Sequence, residues 1–108
     1  MAVMELVPRS DNRLALIEIL RFVEEHLHGK AGCLGCDVFE TVGSSQRILY
    51  VEQWDSMKDL HAHIRSELYF HVLGAIELAS KMPSIRFHEV TQTKSMELIE
   101  ELRGSCTG

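Results

Sequence analysis

The sequence predicts an α+β domain, a four-stranded antiparallel sheet with helices packed on one of its faces. Three observations lead there. Short apolar, β-branched segments alternate with helical periodicities in the order βαββαβ. The second and third strand segments are separated only by Gly43-Ser44-Ser45-Gln46, which is turn chemistry and makes them a hairpin. The run Ile48-Leu49-Tyr50-Val51 is apolar at both parities, as expected of a strand covered on both sides.

Residues 1–8, apolar and closed by Pro8, form the first strand. Ser10, Asp11 and Asn12 offer cap side chains for the helix that follows. Its apolar stripe is Leu14, Ile17, Leu20, Phe22, Val23 and Leu27, and Gly29 supplies the left-handed stop. Residues 36–42 and 47–54 form the hairpin. Ser56 with Asp59 resembles a capping box and opens a helix carrying Met57, Leu60 and Ile64. A second helical stretch presents Leu68, Val72, Leu73, Ile76 and Ala79, with a break expected near Ser66 and an end at Pro83. Residues 84–93 form the fourth strand. In the tail, 95–103 have Met96, Leu98, Ile99 and Leu102 on an acidic background, which predicts a short extra helix. The expected division is a domain over 1–94 and a C-terminal helix and tail over 95–108.

This order is the ferredoxin-like arrangement, with helices on one face and an open face opposite. The strand apolar on both sides then needs a second cover, most simply the sheet of another copy of the chain, so a homodimer is expected. At 108 residues only roughly two-thirds of the unfolded surface is buried within one chain, which also favours pairing.

A formal net charge of -5, with Lys58, Arg65, Lys81 and Arg86 scattered through the second half, argues against nucleic-acid binding. No apolar run reaches the roughly 20 residues that span a bilayer. A basic region followed by an apolar core is lacking at the N-terminus, and the three cysteines are an odd number. A cytoplasmic protein is expected. The histidines are not spaced as metal ligands: His61 and His63 diverge by about 200° around a helix, and no i, i+4 pair occurs. No metal and no cofactor is expected.

The segment Ile48-Leu49-Tyr50-Val51-Glu52-Gln53-Trp54-Asp55-Ser56 resembles the hallmark of the antibiotic biosynthesis monooxygenase family, in which an apolar strand ends in acidic–polar–Trp–acidic–Ser and enters a helix. Leu60-His61-Ala62-His63-Ile64 is similar to the family's Leu-x-Ala-His-Leu, and Gly32-Cys33-Leu34-Gly35 to its Gly-Cys-x-Gly. Ile85-Arg86-Phe87-His88-Glu89-Val90 resembles its last strand. These motifs cover roughly residues 30–92 in the right order. The resemblance implies a dimeric α+β barrel with a pocket between sheet and helices in each subunit. It also implies a choice among chemistries. Some members oxidise quinol or polyketide rings with molecular oxygen and neither metal nor flavin; others degrade heme or process signalling molecules. The first strand here has no Asn, and His63 and Leu73 stand where the heme-degrading branch has its Trp and His, so heme cleavage is disfavoured. Ser66-Glu67-Leu68-Tyr69 replaces the family's Ser-Pro-His-aromatic, so a second pocket histidine is missing.

Alternation puts Tyr50, Glu52 and Trp54 on one face of the third strand. Trp54 reads either as a pocket wall for an aromatic substrate or as a core residue at the strand–helix corner. Tyr50 offers a phenol to a substrate hydroxyl, and Glu52 a base or a structural acceptor. His63, which matches the family's helix histidine, is the candidate base for deprotonating a quinol or phenol; the alternative is a half-buried histidine bonded to backbone. Arg86 and His88 share a face of the last strand and are candidates for an anionic group. Cys33 and Cys36 have redox-motif spacing but precede a strand rather than a helix, and read as two small buried residues. The leading functional expectation is a cofactor-independent monooxygenase of a quinol-like or polycyclic phenolic molecule. The alternatives are a non-enzymatic module binding a small aromatic ligand and a structural dimer with a filled pocket.

Overall fold

The structure, a computed structural model, describes residues 1–43, 46–89 and 101–103. Its elements are β1 (Ala2–Leu6), α1 (Arg13–Leu27), β2 (Cys33–Glu40), β3 (Ile48–Trp54), α2 (Met57–Ile64), α3 (Tyr69–Glu77) and β4 (Ser84–Phe87). The strands form one sheet in the order β2-β3-β1-β4, every neighbouring pair antiparallel. This is the α+β ferredoxin-like architecture expected from the element order.

Alternation on β3 separates the two faces. Ile48, Tyr50, Glu52 and Trp54 are buried toward the helices, with Met4 and Leu6 of β1 beside them. Leu16, Ile17, Leu20, Val23 and Leu27 of α1, Leu60 of α2, and Val72 and Ala75 of α3 complete the core. On the opposite face Val3, Leu49 and Val51 are half-buried, and Phe39, which pairs with Leu49, is exposed. The apolar character of β3 at both parities therefore leaves a greasy strip on the side away from the helices.

Several local details differ from the sequence expectation, among them the end of α3, which comes at Glu77 rather than at Pro83. β2 begins at Cys33, because a register shift between Cys33 and Gly35 lets Cys33 pair with Trp54 and Gly35 with Gln53; a glycine and an extra residue hide that pairing from any alternation pattern. Asn12 caps α1 in position but makes no side-chain cap bond. Leu14, Phe22 and Leu73, placed on apolar stripes, are exposed at 75%, 39% and 45%. For Leu14 and Leu73 the stripe is narrower than the spacing implied, and Phe22 instead packs between the rings of His26 and His71. β4 ends at Phe87, with His88 and Glu89 beyond it; the remainder of the expected strand, 90–93, lies outside the described residues. Of the expected tail helix only 101–103 are described, and they are helical and exposed.

The expected helix stop and break are present. Gly29 takes φ +80 two residues past α1. Ser66 separates α2 from α3, its hydroxyl and its backbone N–H both donating to the carbonyl of His63. No helix among the described residues is long and apolar enough to cross a membrane.

Candidate active site: a buried carboxylate and imidazole

The site is built where β3 runs into α2. Ser56 caps the helix: its Oγ accepts from the Asp59 N–H at 3.1 Å and donates to the Asp59 carboxylate at 2.8 Å. The start of β2 locks onto the same corner, because the Asp55 N–H donates to the Gly32 carbonyl at 2.8 Å. Gly32 has φ +85, and a Cβ there would lie 2.6 Å from Cγ of Asp59. Glycine is thus required both for the backbone conformation and for the close approach of Asp59. This corner fixes the start of α2, and two turns later the helix presents His63 to the sheet.

His63 meets Glu52, which stands between Tyr50 and Trp54 on the same strand face. Glu52 and His63 are each 1% exposed. Glu52 Oε2 accepts from the Tyr50 hydroxyl at 2.5 Å and from His63 Nε2 at 2.9 Å; Oε1 accepts from Trp54 Nε1 at 3.0 Å. Burial alone would push the Glu52 carboxyl up. The hydrogen bonds from His63 and Tyr50, the charge that His63 carries when protonated and the bond from Trp54 together outweigh burial and hold it below the usual carboxylate range. The group is ionised at neutral pH.

An ionised carboxylate only accepts, so Nε2 of His63 carries the hydrogen. In the neutral form of the ring, that assignment makes Nδ1 the nitrogen able to accept a proton. Nδ1 is buried and has no hydrogen-bond partner among the described residues. The ring lies against Trp54 (centroids 4.8 Å apart, 29° between planes) and takes the edge of Tyr69 (5.2 Å, 83°). A carboxylate that fixes one imidazole nitrogen and leaves the other able to accept a proton is the arrangement by which an acid–histidine pair serves as a general base.

The other groups are tuned around this charge. Burial, then the charge of Glu52, pushes the Tyr50 phenol far up, so it remains a donor. Burial followed by the same charge also raises Tyr69. The Tyr50 oxygen accepts from the Cys36 thiol at 3.4 Å, and burial foremost pushes that thiol up to about 12.

Tyr50, Glu52, Trp54 and His63 are therefore brought into one hydrogen-bonded and stacked cluster. Within it the Tyr50 hydroxyl donates to Glu52 and accepts from Cys36. Arg86 is not part of the cluster: it pairs with Val3, which pairs with Val51, so it is exposed on the other face of the sheet. His88 exchanges backbone hydrogen bonds with Met1 and lines an open cleft of about 560 Å³ together with Leu34, Trp54, Met57, Leu60 and Glu89. The narrow space between sheet and helices lined by Tyr50, Glu52 and Tyr69 measures only about 10 Å³, the room of roughly one water. Sequence reasoning missed Tyr69 and Cys36. Tyr69 sits beyond the break at Ser66, where helical spacing from His63 no longer applies, and Cys36 is found only once its pairing with Glu52 is known. Among the described residues no three His, Cys, Asp or Glu side chains converge so as to hold a metal ion.

The family model for antibiotic biosynthesis monooxygenases matches residues 1–72. A search of curated proteins finds no match. Among solved structures, the Rv0793 protein of Mycobacterium tuberculosis superposes with a TM-score of 0.75 at 20% identity, over 86% of this chain and 96% of that one. A candidate antibiotic biosynthesis monooxygenase from Deinococcus radiodurans gives 0.75 at 18% identity, over 88% and 97%. One from Nitrosomonas europaea gives 0.74 at 15%, over 84% and 97%. At such identities the superpositions speak for the fold; together with the family model over two-thirds of the sequence, they establish that this chain belongs to the antibiotic biosynthesis monooxygenase family.

Proposed function

We propose that the chain oxidises a small quinol-like or polycyclic phenolic molecule with molecular oxygen, without metal or flavin, and that His63 held by Glu52 is the base. The single observation that carries this reading is the fully buried Glu52–His63 bond, with Nδ1 lacking a hydrogen-bond partner among the described residues. In the proposed reaction Nδ1 takes a proton from the substrate, and the resulting anion passes one electron to oxygen. The superoxide so formed bonds to the ring carbon as a peroxide, which recovers the proton from His63. Loss of water, taking the carbon's remaining hydrogen, leaves a carbonyl; one CH2 and one O2 become C=O and H2O. The imidazolium formed on the way stands against the Glu52 carboxylate, where its charge is favoured.

Trp54 and Tyr69 cover the imidazole, so substrate binding has to part these rings. The greasy strip of Val3, Leu49 and Val51 supports a homodimer paired through the open sheet face, which would cover it. A second reading is favoured by one observation: the open cleft lies on Trp54 while His63 is sealed behind it, as suits a module that binds a small aromatic ligand without turnover.

Oxygen consumption with a panel of hydroquinones and anthrone-like phenols, alongside ligand quenching of Trp54 fluorescence, separates the two readings. Uptake that His63→Ala abolishes supports the oxygenase. Saturable quenching with no uptake above background across pH supports the binding module and rejects the enzymatic reading.

A further inference from the structure

We propose that Cys33 and Cys36 form a two-sulfur site for a soft, thiophilic ion. This goes beyond the oxygenase reading and does not depend on it. Residues three apart on a regular strand point to opposite faces. In β2 the register shift between Cys33 and Gly35 removes that difference: Cys33 stands opposite Trp54 and Cys36 opposite Glu52, so both side chains face the helices. Their partners are two residues apart on β3, which sets the two cysteines about 6.7 Å apart along the strand. Both line the same cavity of about 180 Å³, whose wall also includes Glu24, Leu27, His28 and Gly29.

Both are free thiols, and each makes one weak S–H hydrogen bond, 3.6 Å from Cys33 to the Gly35 carbonyl and 3.4 Å from Cys36 to the Tyr50 oxygen. A direct disulfide does not suit this spacing, because it needs Cβ atoms roughly 3.5–4.5 Å apart. One atom bonded to both sulfurs at about 2.3 Å each holds them up to about 4.6 Å apart, more than twice the length of an S–S bond. A bridging atom therefore fits where a disulfide would distort the strand. With no third ligand converging among the described residues, the site favours an ion content with two sulfurs over four-coordinate zinc. Copper(I) is of that class. Binding would remove the Cys36 hydrogen from Tyr50, linking occupancy to the Tyr50–Glu52–His63 cluster.

The test uses the full chain with Cys106→Ser, so that only these two thiols remain. Phenylarsine oxide bonds two thiols at once: its arsenic exchanges oxygen for two sulfurs and the two thiol hydrogens leave with that oxygen as water. The expected result on the folded protein is one adduct per chain by intact mass, with both cysteines protected together from iodoacetamide. Cys33→Ser or Cys36→Ser should each abolish the adduct, and the protection readout needs no variant at either position. Copper(I) offered as its bicinchoninate complex under anaerobic conditions should then be withdrawn at one equivalent per chain, with a change in Trp54 fluorescence. An adduct that forms only in urea, or that survives either serine variant, overturns the two-sulfur geometry. Copper(I) that stays with the chelator overturns the ion site.

Discussion

Replacing Glu52 by Gln keeps the shape of the side chain and removes its charge, and the consequences can be worked bond by bond. The carboxylate accepts three hydrogen bonds, from Tyr50, His63 and Trp54, at a position 1% exposed. The indole N–H only donates, so the amide oxygen must face Trp54. The amide NH2 then faces Tyr50 and His63, and His63 can accept only by moving its hydrogen to Nδ1. Bonds to a charged acceptor contribute about 1.5–3 kcal/mol each and neutral ones about 0.5–1.5. Weakening three of them costs about 3 kcal/mol, a fall in melting temperature on the order of 10 °C for a domain of this size. Loss of the base should also lower any turnover by on the order of 10²–10⁴. Thermal unfolding followed by circular dichroism reads the first effect, and nitrogen-15 NMR of the imidazole reads the tautomer. A Glu52→Gln protein that melts with the wild type and keeps its hydrogen on Nε2 would refute the reasoning.

Acid should act on the same group. The folded Glu52 pKa lies below the ordinary glutamate value of about 4.3, so its contribution is complete above that value and is lost as pH falls through the lower folded one. Urea midpoints should decline below about pH 4.3, with a shallower decline in Glu52→Gln; equal slopes would contradict this. Gly32→Ala should cost about 1–3 kcal/mol, from the φ of +85 and the contact with Asp59. Adding Asp59→Ala should relieve the contact but not the backbone strain, and a Gly32→Ala midpoint equal to wild type would show that the corner has room for a side chain at position 32. Val51 faces away from the helical core, so Val51→Lys should leave the fold intact by circular dichroism and give a monomer in light scattering, where the proposed pairing predicts a dimer for the wild type. Monomeric wild-type protein at micromolar concentration would remove the sheet-to-sheet pairing.

The parts legible in the sequence are those set by local periodicity. The alternation of Tyr50, Glu52 and Trp54 placed them on one face, and Ser56 with Asp59 marked the helix that delivers His63. Gly29 marked the end of the first helix because it supplies the positive φ that the stop requires. What the sequence left open depends on distances between elements. Glu52 becomes the centre of the cluster only once α2 is docked on β3, which brings His63 Nε2 within 2.9 Å of its carboxylate. Tyr50 has the right face for a substrate contact, yet its hydroxyl is taken by Glu52 and Cys36, a pairing fixed by hairpin register. Arg86 shows the same limit from the other side: its strand was recognised, but the face it occupies follows from pairing with Val3.

The most direct test of the oxygenase reading is product mass after turnover of an anthrone-like phenol under oxygen-18 gas. The expected result is one labelled oxygen per product molecule with the wild-type protein, and none above the uncatalysed background with His63→Ala. Labelled product formed equally by both proteins, or by neither across the substrate panel, would contradict a Glu52-held His63 acting as the base.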